Sequence, residues 1–209
     1  MSNLPTNWDS YYQTPYRFSW LTRYFTNRFL LSAINRNLLS SQPINIVELG
    51  GGGSAFYLWL KRQLNVQKYI VVDNNQAGLD KLVNVAGLTL INHDITQPAL
   101  TEATRGDVVF SVGLIEHFSA DMTERAIEAH FDWATPNGLV VITYPTPTWL
   151  YRLSRKVSER MGWWIFSDET PIRLECVEQL LQPYGQVLEH RINWLTPFTQ
   201  AIVVARKYH

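Results

Sequence analysis

Short apolar runs alternate with helix-like segments between Ile44 and Tyr144. In the first helix-like segment, Phe56, Leu60 and Leu64 are spaced by four, which places them on one helical face. The strand-like runs cover 44–49, 68–73, 88–92, 107–112 and 139–144, and the helix-like segments cover 54–65, 76–86 and 121–134, the last ended by the turn at 136–138. Strands that alternate with helices require crossover connections, so this pattern predicts a mostly parallel sheet.

The C-terminal part of the chain breaks this alternation. Residues 187–194 and 199–205 have a strand-like composition, and the short loop between them leaves no room for a helix. Two strands joined so closely pair antiparallel. We therefore expect an α/β fold with a seven-stranded, mostly parallel sheet, an antiparallel C-terminal hairpin and helices on both faces.

Two further segments flank or interrupt this core. Residues 16–39 are helix-like, because apolar residues recur at spacings of three and four from Phe18 to Phe29. This helix either packs on the sheet or covers a ligand pocket, and the two are compatible. We expect one domain over 1–209, with an N-terminal helical cap at 1–42 and a lid-like insert at 145–171.

Composition and charge narrow the class of protein. The chain has 209 residues, of which 46% are apolar, enough for a packed core. Eighteen basic residues balance eighteen acidic ones, so the net charge gives no sign of a nucleic-acid partner. The single cysteine, Cys176, excludes an intrachain disulfide and argues against a cysteine-based zinc site, and we expect no metal. No signal-peptide pattern or membrane-spanning run is present, so we expect a cytoplasmic monomer or homodimer that acts on a small molecule.

Four glycines follow the first predicted strand, within the segment 48–54. Ligands of such sheets bind beyond the carboxyl ends of the strands, where glycines let the backbone approach them closely. The spacing Gly50-x-Gly52-x-x-Ala55 fits a dinucleotide fingerprint, and Asp73, about 20 residues further on, suits that motif too. The same turn, preceded by Glu48, also fits a loop that binds S-adenosylmethionine (SAM). An NAD-dependent oxidoreductase and a SAM-dependent enzyme are both compatible with the turn.

The later segments favour the second alternative. The segments 48–54, 73–74, 94–95 and 111–118 follow the order of the motifs of class I SAM-dependent methyltransferases, and 136–139 resembles the turn into their fifth strand. From Ile44 to about Tyr144 the chain thus resembles this family, particularly its small-molecule members. The resemblance implies a Rossmann-like fold, SAM as methyl donor and S-adenosylhomocysteine (SAH) as product. The closing hairpin and the short remainder of the chain argue against a dehydrogenase with its own substrate domain.

The resemblance also implies roles for individual residues. Asp73 is expected to accept hydrogen bonds from the ribose hydroxyls, and Asp94 one from the adenine amino group. Ile95 offers a backbone N–H and an apolar face to the adenine ring, whereas Glu48 orients the glycine turn or reaches the methionine amino group. The expected cofactor-binding residues are Tyr11, Glu48, Gly50, Gly51, Gly52, Asp73, Asn74, Asp94, Ile95, Ser111, Val112 and Leu114.

His117, beside Glu116 after the fourth strand, is the candidate general base, because an unperturbed histidine accepts a proton near neutral pH. A histidine that only orients Glu116 or packs on the cofactor is the alternative. The expected substrate contacts are Tyr12, His117, Tyr144, Trp149, Trp163 and Trp164. They imply a small aromatic or apolar acceptor, methylated at O, N or C. A non-catalytic SAM-binding module stays open as a rival.

The insert itself contains an amphipathic helix. Leu150, Leu153, Val157 and Met161 share one face, and basic residues lie off it. This helix either docks its apolar face on the domain, closes over the substrate, or contacts a membrane surface through 148–166. The last alternative is suggested by quinone-precursor methyltransferases that resemble this chain.

Overall fold

The computed structural model describes residues 6–13, 19–39 and 42–209. The strands are β1 (Ile44–Leu49), β2 (Val66–Asp73), β3 (Leu88–Asn92), β4 (Gly106–Val112), β5 (Ala134–Pro145), β6 (Gly185–Asn193) and β7 (Gln200–Lys207). The α-helices are α1 (Trp8–Gln13), α2 (Ser19–Asn37), α3 (Tyr57–Gln63), α4 (Gln76–Asp80), α5 (Ala120–Asp132), α6 (Trp149–Arg160) and α7 (Leu174–Leu181). Two 3₁₀ turns lie at Glu102–Thr104 and Ile115–His117.

The seven strands form one sheet in the order β3-β2-β1-β4-β5-β7-β6. The pairs formed among β1 to β5 are all parallel, whereas β7 pairs antiparallel with both β5 and β6. The predicted mostly parallel sheet with an antiparallel C-terminal hairpin is therefore confirmed. The chain turns to opposite sides of the sheet after β1 and after β4, so a crevice opens between the carboxyl ends of these two strands.

Apolar residues that alternate along the strands build two cores, one on each face of the sheet. On β1, Ile46 belongs to the cluster that packs against α2 and α3, whereas the adjacent Val47 belongs to the cluster that packs against α5 and α7. Neighbouring side chains of a strand point to opposite faces, which explains this division. Helices cover both faces, as predicted.

Several element boundaries differ from the prediction. The predicted helix 121–134 ends at Asp132, because Ala134 already pairs with Gly106 as the start of β5. The turn at 136–138 is a register irregularity inside β5, with Asn137 at φ +60°, rather than the end of a helix. α3 and α4 are also shorter than predicted, since α3 begins only at Tyr57, after bends at 55–56, and a turn at 81–84 follows α4.

The N-terminal helix matches its prediction where it is described. α2 buries Leu30, Ala33 and Ile34 in the core, as its spacing of three and four requires. The predicted first turn of this helix, 16–18, lies outside the described residues.

The helix of the insert presents most of its apolar face to solvent, so of the three alternatives for this face, docking on the domain is not supported. Leu153, Val157 and Met161 are 54%, 50% and 55% exposed. The docked side of α6 instead carries Tyr151 and Ser158, which are buried. No helix among the described residues combines the length and apolar character needed to cross a membrane.

Candidate active site

A cavity of about 350 Å³ lies where β1, β4 and β5 end, at the edge of the sheet where ligands of this architecture bind. Its lining comes from the glycine turn, α1 and the first half of α2, the residues after β4, and the insert together with the 196–200 loop. The predicted site residues that line it are Tyr11, Tyr12, Glu48, Gly50, Gly51, Val112, His117, Trp163 and Trp164.

The glycine turn is held by a carboxyl group beneath it. Glu48 is buried at the end of β1 and accepts hydrogen bonds from the Ser54 Oγ and the Tyr69 hydroxyl, each at 2.6 Å. Burial raises the pKa of Glu48 to about 7, although these two hydrogen bonds oppose the shift. Gly50 has φ +68°, a backbone conformation that glycine adopts without strain. Of the two roles predicted for Glu48, the geometry favours orientation of the turn.

Asp73, at the end of β2, ties the glycine turn to the second strand. Its Oδ2 accepts the Gly52 N–H at 2.7 Å, and its Oδ1 accepts the Asn75 N–H at 2.7 Å. The Tyr12 hydroxyl lies 3.4 Å from Oδ2, so α1 covers this carboxylate. Burial raises the pKa of Asp73, and the backbone hydrogen bonds partly offset that rise.

A glycine is required at position 52 by the same contacts. A Cβ on Gly52 would lie 2.6 Å from Cζ of Tyr12 and 2.9 Å from Oδ2 of Asp73. These distances are shorter than real Cβ contacts allow. The turn therefore approaches Asp73 as closely as a backbone without a side chain permits.

A second polar cluster lies after β4, on the far side of the cavity from the glycine turn. The Nδ1 of His117 is 2.9 Å from Oδ1 of Asp168, which belongs to the insert. Asp168 also accepts hydrogen bonds from the backbone N–H, at 3.0 Å, and the hydroxyl of Thr6. Burial lowers the pKa of His117. Burial raises the pKa of Asp168, but the hydrogen bonds from Thr6 and His117 lower it by more and hold this pKa below the usual value.

Two further carboxyl groups complete this cluster. Glu116 is 2% exposed, and its Oε2 has no hydrogen-bond partner among the described residues. Glu169 accepts a hydrogen bond from the Tyr151 hydroxyl. One side-chain nitrogen or oxygen atom from each of Glu116, His117 and Glu169 lies within 4.8 Å of the other two. Burial and the nearby charge of Glu169 raise the pKa of Glu116 well above its usual value, and burial raises the pKa of Glu169 to about 7.

Aromatic rings surround His117. The ring of Trp8 from α1 meets the imidazole edge-on at a centroid distance of 4.8 Å, and Phe166 from the insert lies at 5.9 Å. Tyr11 packs against Phe166 at 5.6 Å, and Trp164 does so at 5.7 Å. The cavity thus combines a carboxylate cluster with an apolar aromatic wall.

Nine predicted contact residues do not line the cavity, among them Ser111, Tyr144 and Trp149. Ser111 is buried and its Oγ is 2.8 Å from Nε2 of His130 on α5, because Ser111 shares the α5-facing side of β4 with Val109. Tyr144 is buried in the same core. Trp149 is 69% exposed on the outer side of α6. The predictions that Tyr144 and Trp149 contact the substrate are not supported by these positions, and neither is a cofactor contact through the Ser111 side chain.

Six predicted cofactor contacts are also absent from the lining: Gly52 and Asp73, whose contacts are given above, and Asn74, Asp94, Ile95 and Leu114. The Oδ1 of Asp94 accepts hydrogen bonds from the N–H and the hydroxyl of Thr96, and Ile95 is buried in the core. Asn74 is exposed after β2. Leu114 packs over Gly50, where it would be 2.7 Å from a Cβ. None of these four predicted residues is part of the cavity lining.

Sequence reasoning missed the acidic pair Asp168-Glu169. The only sequence signal for these two residues is that two acidic side chains end a largely aromatic segment, 163–169. Asp168 is 51 positions from His117, and a single sequence carries no pattern that links residues at that separation.

A family model described as a methyltransferase domain matches residues 22–194. This match includes the glycine turn, the His117 cluster and the insert. No curated protein matches the sequence significantly.

Solved structures share the fold of the chain at low sequence identity. The N-methyltransferase NodS from Bradyrhizobium japonicum WM9, in complex with SAH, is 16% identical, with a TM-score of 0.63 and 87% of each chain covered. Magnesium protoporphyrin IX methyltransferase (ChlM) from Synechocystis PCC 6803, with bound SAH, is 11% identical, with a TM-score of 0.69, over 89% of this chain and 84% of that one. A methyltransferase in complex with the Trm112 activator of Haloferax volcanii is 14% identical, with a TM-score of 0.74, over 99% of this chain and 100% of that one.

Proposed function

The chain belongs to the methyltransferase-domain family and is a SAM-dependent methyltransferase, and we propose that it methylates an O, N or C atom of a small, aromatic or apolar acceptor. The observation that carries this proposal is the cavity, which joins the glycine turn on one side to a carboxylate-held histidine within aromatic rings on the other. SAM supplies a methyl group that is already activated, so the chain has to bind and orient the acceptor and take up its proton. The cytoplasm is the compartment that we predict from the sequence.

The glycine side of the cavity suits SAM in shape and charge. The carboxylate of Asp73 keeps lone pairs beyond those used by backbone N–H groups, so it can accept hydrogen bonds from both ribose hydroxyls once Tyr12 moves aside. Arg23 and Lys81, unlike Asp73, line the cavity, and they supply positive charge for a methionine carboxylate. The backbone of Gly50 lines the cavity without a side chain in the way. We therefore assign the glycine turn and Asp73 to the cofactor.

We assign proton uptake to His117. An ionised carboxylate only accepts hydrogen bonds, so Asp168 holds the proton of His117 on Nδ1 and leaves a lone pair on Nε2. Burial lowers the pKa of the imidazole, which keeps Nε2 unprotonated near neutral pH. Asp168 acts through His117 as a positioning residue.

The aromatic rings around His117 determine the class of acceptor. Trp8, Phe166 and Trp164 offer ring surfaces that bury apolar or aromatic groups of a ligand. Because Trp8 belongs to α1 and Phe166 to the insert, we assign selection of the acceptor to both of these segments.

Thermal shift and methyl transfer test this proposal. SAM and SAH should each raise the Tm of the wild-type protein, since a ligand that binds only the folded state stabilises it, whereas NAD should not. Transfer of labelled methyl from SAM to aromatic acceptors should be lost in His117→Ala while SAH binding is kept. Stabilisation by NAD alone would reject the proposal, and SAH binding without transfer to any acceptor would indicate a non-catalytic SAM-binding module. Asp121→Asn, an exposed acidic position on α5, serves as the control variant.

We propose in addition that α6 contacts an anionic lipid surface. Trp149, Leu153, Val157 and Met161 recur every four residues and form an exposed apolar stripe on this helix. Arg152, Lys156 and Arg160 are exposed one position before Leu153, Val157 and Met161, and they form a basic stripe beside the apolar one. Apolar groups that insert beside cationic groups are the pattern of helices that lie in the interface of an anionic bilayer. This surface would give an apolar acceptor a short path from the lipid to the cavity, because Trp163 and Ile165, which follow α6, line that cavity.

Vesicle flotation tests the contact. The wild-type chain should co-float with vesicles of phosphatidylglycerol and phosphatidylcholine, and less with phosphatidylcholine alone. The double variant Leu153→Ser with Val157→Ser should lose this binding, whereas Leu58→Ser, an equally exposed leucine on α3, should retain it. Equal flotation of all three proteins would reject the proposal. A dimer that dissociates in the double variant, seen by size-exclusion chromatography, would assign the stripe to pairing of two copies instead.

A further inference from the structure

The carboxyl groups near His117 are more numerous than proton uptake requires. One base with its orienting carboxylate is provided by His117 and Asp168. Glu116 and Glu169 add two more acidic groups, close enough for the charge of Glu169 to act on Glu116. Proton uptake does not account for Glu116, whose carboxyl group has an unpartnered oxygen, whereas Glu169 also accepts a hydrogen bond from the Tyr151 hydroxyl.

No lysine or arginine among the described residues pairs with Glu116. The Nε2 of His117 lies 4.0 Å from its Oε1, but burial lowers the pKa of His117, which disfavours a charged imidazole. Lys81 donates to the backbone carbonyl of Tyr12 in α1. Arg155 of the insert pairs with Glu159 and donates to the backbone carbonyl of Glu169. The Oε2 of Glu116 lacks a hydrogen-bond partner in the described part of the chain, and only 2% of this residue is exposed.

A buried carboxylate without a partner is unfavourable, and either a proton or a cation relieves it. Burial raises the pKa of Glu169 to about 7 and that of Glu116 well above its usual value, so both groups hold a proton readily. A cationic ligand replaces these protons and restores the two negative charges. The cluster therefore has the chemistry of a site for a cation.

The surroundings specify the kind of cation. Trp8 and Phe166 lie against His117 at centroid distances of 4.8 and 5.9 Å, so aromatic rings border the carboxyl groups. Carboxylates bordered by aromatic rings suit an ammonium group on an apolar stem, because the charge pairs with the acids while the stem and the cation contact ring faces. Resting on the proposed methyl transfer, we infer that Glu116 and Glu169 bind the ammonium group of an amine acceptor, so that the enzyme methylates nitrogen.

The reaction balances with groups present at the site. The bound ammonium R–NH₃⁺ gives one proton to the Nε2 of His117, which leaves a lone pair on nitrogen. The N–C bond then forms as the C–S bond of the donor breaks, and the electron pair of that bond remains on sulfur. The products are R–NH₂⁺–CH₃ and SAH, and the product cation keeps the same two carboxylate partners. An acceptor that carries a carboxylate at this position would be repelled by Glu116 and Glu169.

Paired amines and alcohols test the inference. Binding of 2-phenylethylamine and tryptamine is compared by calorimetry with that of 2-phenylethanol and tryptophol, in the presence of SAH, and methylated products are identified from labelled SAM. The wild-type protein should bind each amine at least about tenfold more tightly than its alcohol. Glu116→Gln and Glu169→Gln should reduce this ratio to about threefold or less, while Glu124→Gln, an exposed acid on α5, should leave it unchanged.

The outcomes separate this inference from the proposed function. SAH binding and Tm, measured for every variant, report folding and the cofactor site. If the wild-type protein fails to bind SAH, the proposed function itself is wrong. If SAH binds but amines bind no better than alcohols, or the two glutamine variants keep the wild-type ratio, the ammonium site is wrong. Activation by MnCl₂ or ZnCl₂ that EDTA removes, and that both glutamine variants lack, would overturn it in favour of a metal ion.

Discussion

His130, beneath the end of β4, should make the stability of the protein depend on pH. It is fully buried on α5, with Nδ1 2.7 Å from the carbonyl of Ala126 and Nε2 2.8 Å from Oγ of Ser111. Because a carbonyl only accepts, Nδ1 carries the proton and Nε2 accepts the Ser111 hydroxyl. A second proton on the ring would break that hydrogen bond and bury a charge.

The magnitude follows from the two pKa values of this residue. Burial lowers the pKa of His130 from 6.5 to about 4. Since the folded pKa is the lower one, the unfolded state binds more protons between these two values. The contribution of His130 to the free energy of unfolding is therefore lost as pH falls from about 6.5 towards 4. At 1.36 kcal/mol per pKa unit, the loss amounts to about 2 kcal/mol between pH 7.5 and pH 5.

Urea unfolding of wild-type protein and His130→Gln at both pH values measures this loss. The buried acids Glu48 and Glu169 act in the opposite direction, because their raised pKa values favour the folded state as pH falls. Their effect cancels in the difference between the two proteins, which should change by about 2 kcal/mol. His209→Gln, at an exposed histidine whose partner is the amide of Asn137, is the control and should change little. A difference that stays constant between the two pH values would refute the reasoning.

Three further predictions concern the site. Gly52→Ala should weaken SAH binding, measured by calorimetry, at least about tenfold, because the new Cβ would lie 2.9 Å from Oδ2 of Asp73. The control Gly53→Ala, whose Cβ would have its nearest atom 3.4 Å away, should bind SAH within about threefold of wild type. Equal losses in the two variants would contradict the close approach of Gly52 to Asp73. Asp73→Asn should weaken SAH binding about tenfold or more, since charge-assisted hydrogen bonds to the ribose are lost, and unchanged affinity would place the ribose elsewhere. Asp168→Asn should lower kcat at least about tenfold and shift the pH profile of kcat, because the tautomer of His117 is no longer fixed. The KM for SAM should not change. A change confined to KM would assign Asp168 to binding.

The fold and the cofactor side of the site follow from local sequence patterns. Apolar runs predict the strands, and a glycine turn at the end of β1 predicts where a ligand approaches the backbone. Asp73 is the last residue of β2, so strand order alone brings it to the same edge. The alternation along β4 could also have shown that Ser111 faces α5, since it lies two residues after Val109.

The acceptor side depends on contacts that no local pattern contains. The spacing of Leu153 and Val157 correctly predicts an amphipathic helix, but the docked face carries Tyr151, whose hydroxyl donates to Glu169 at the other end of the insert. Asp168 reaches His117 only because the insert folds back over the end of β4. Polar pairs of this kind depend on tertiary geometry, and amphipathic spacing carries no information about them.

One short helix, α1, touches both halves of the cavity. Its Tyr12 hydroxyl sits beside Asp73, where the ribose is expected, and its Trp8 ring packs on His117, where the acceptor is expected. Because both side chains belong to one short helix, we expect a movement of α1 that admits the donor to move Trp8 as well. We predict from this coupling an ordered turnover, in which the donor binds first and SAH leaves last. SAH should then inhibit competitively against SAM and noncompetitively against the acceptor.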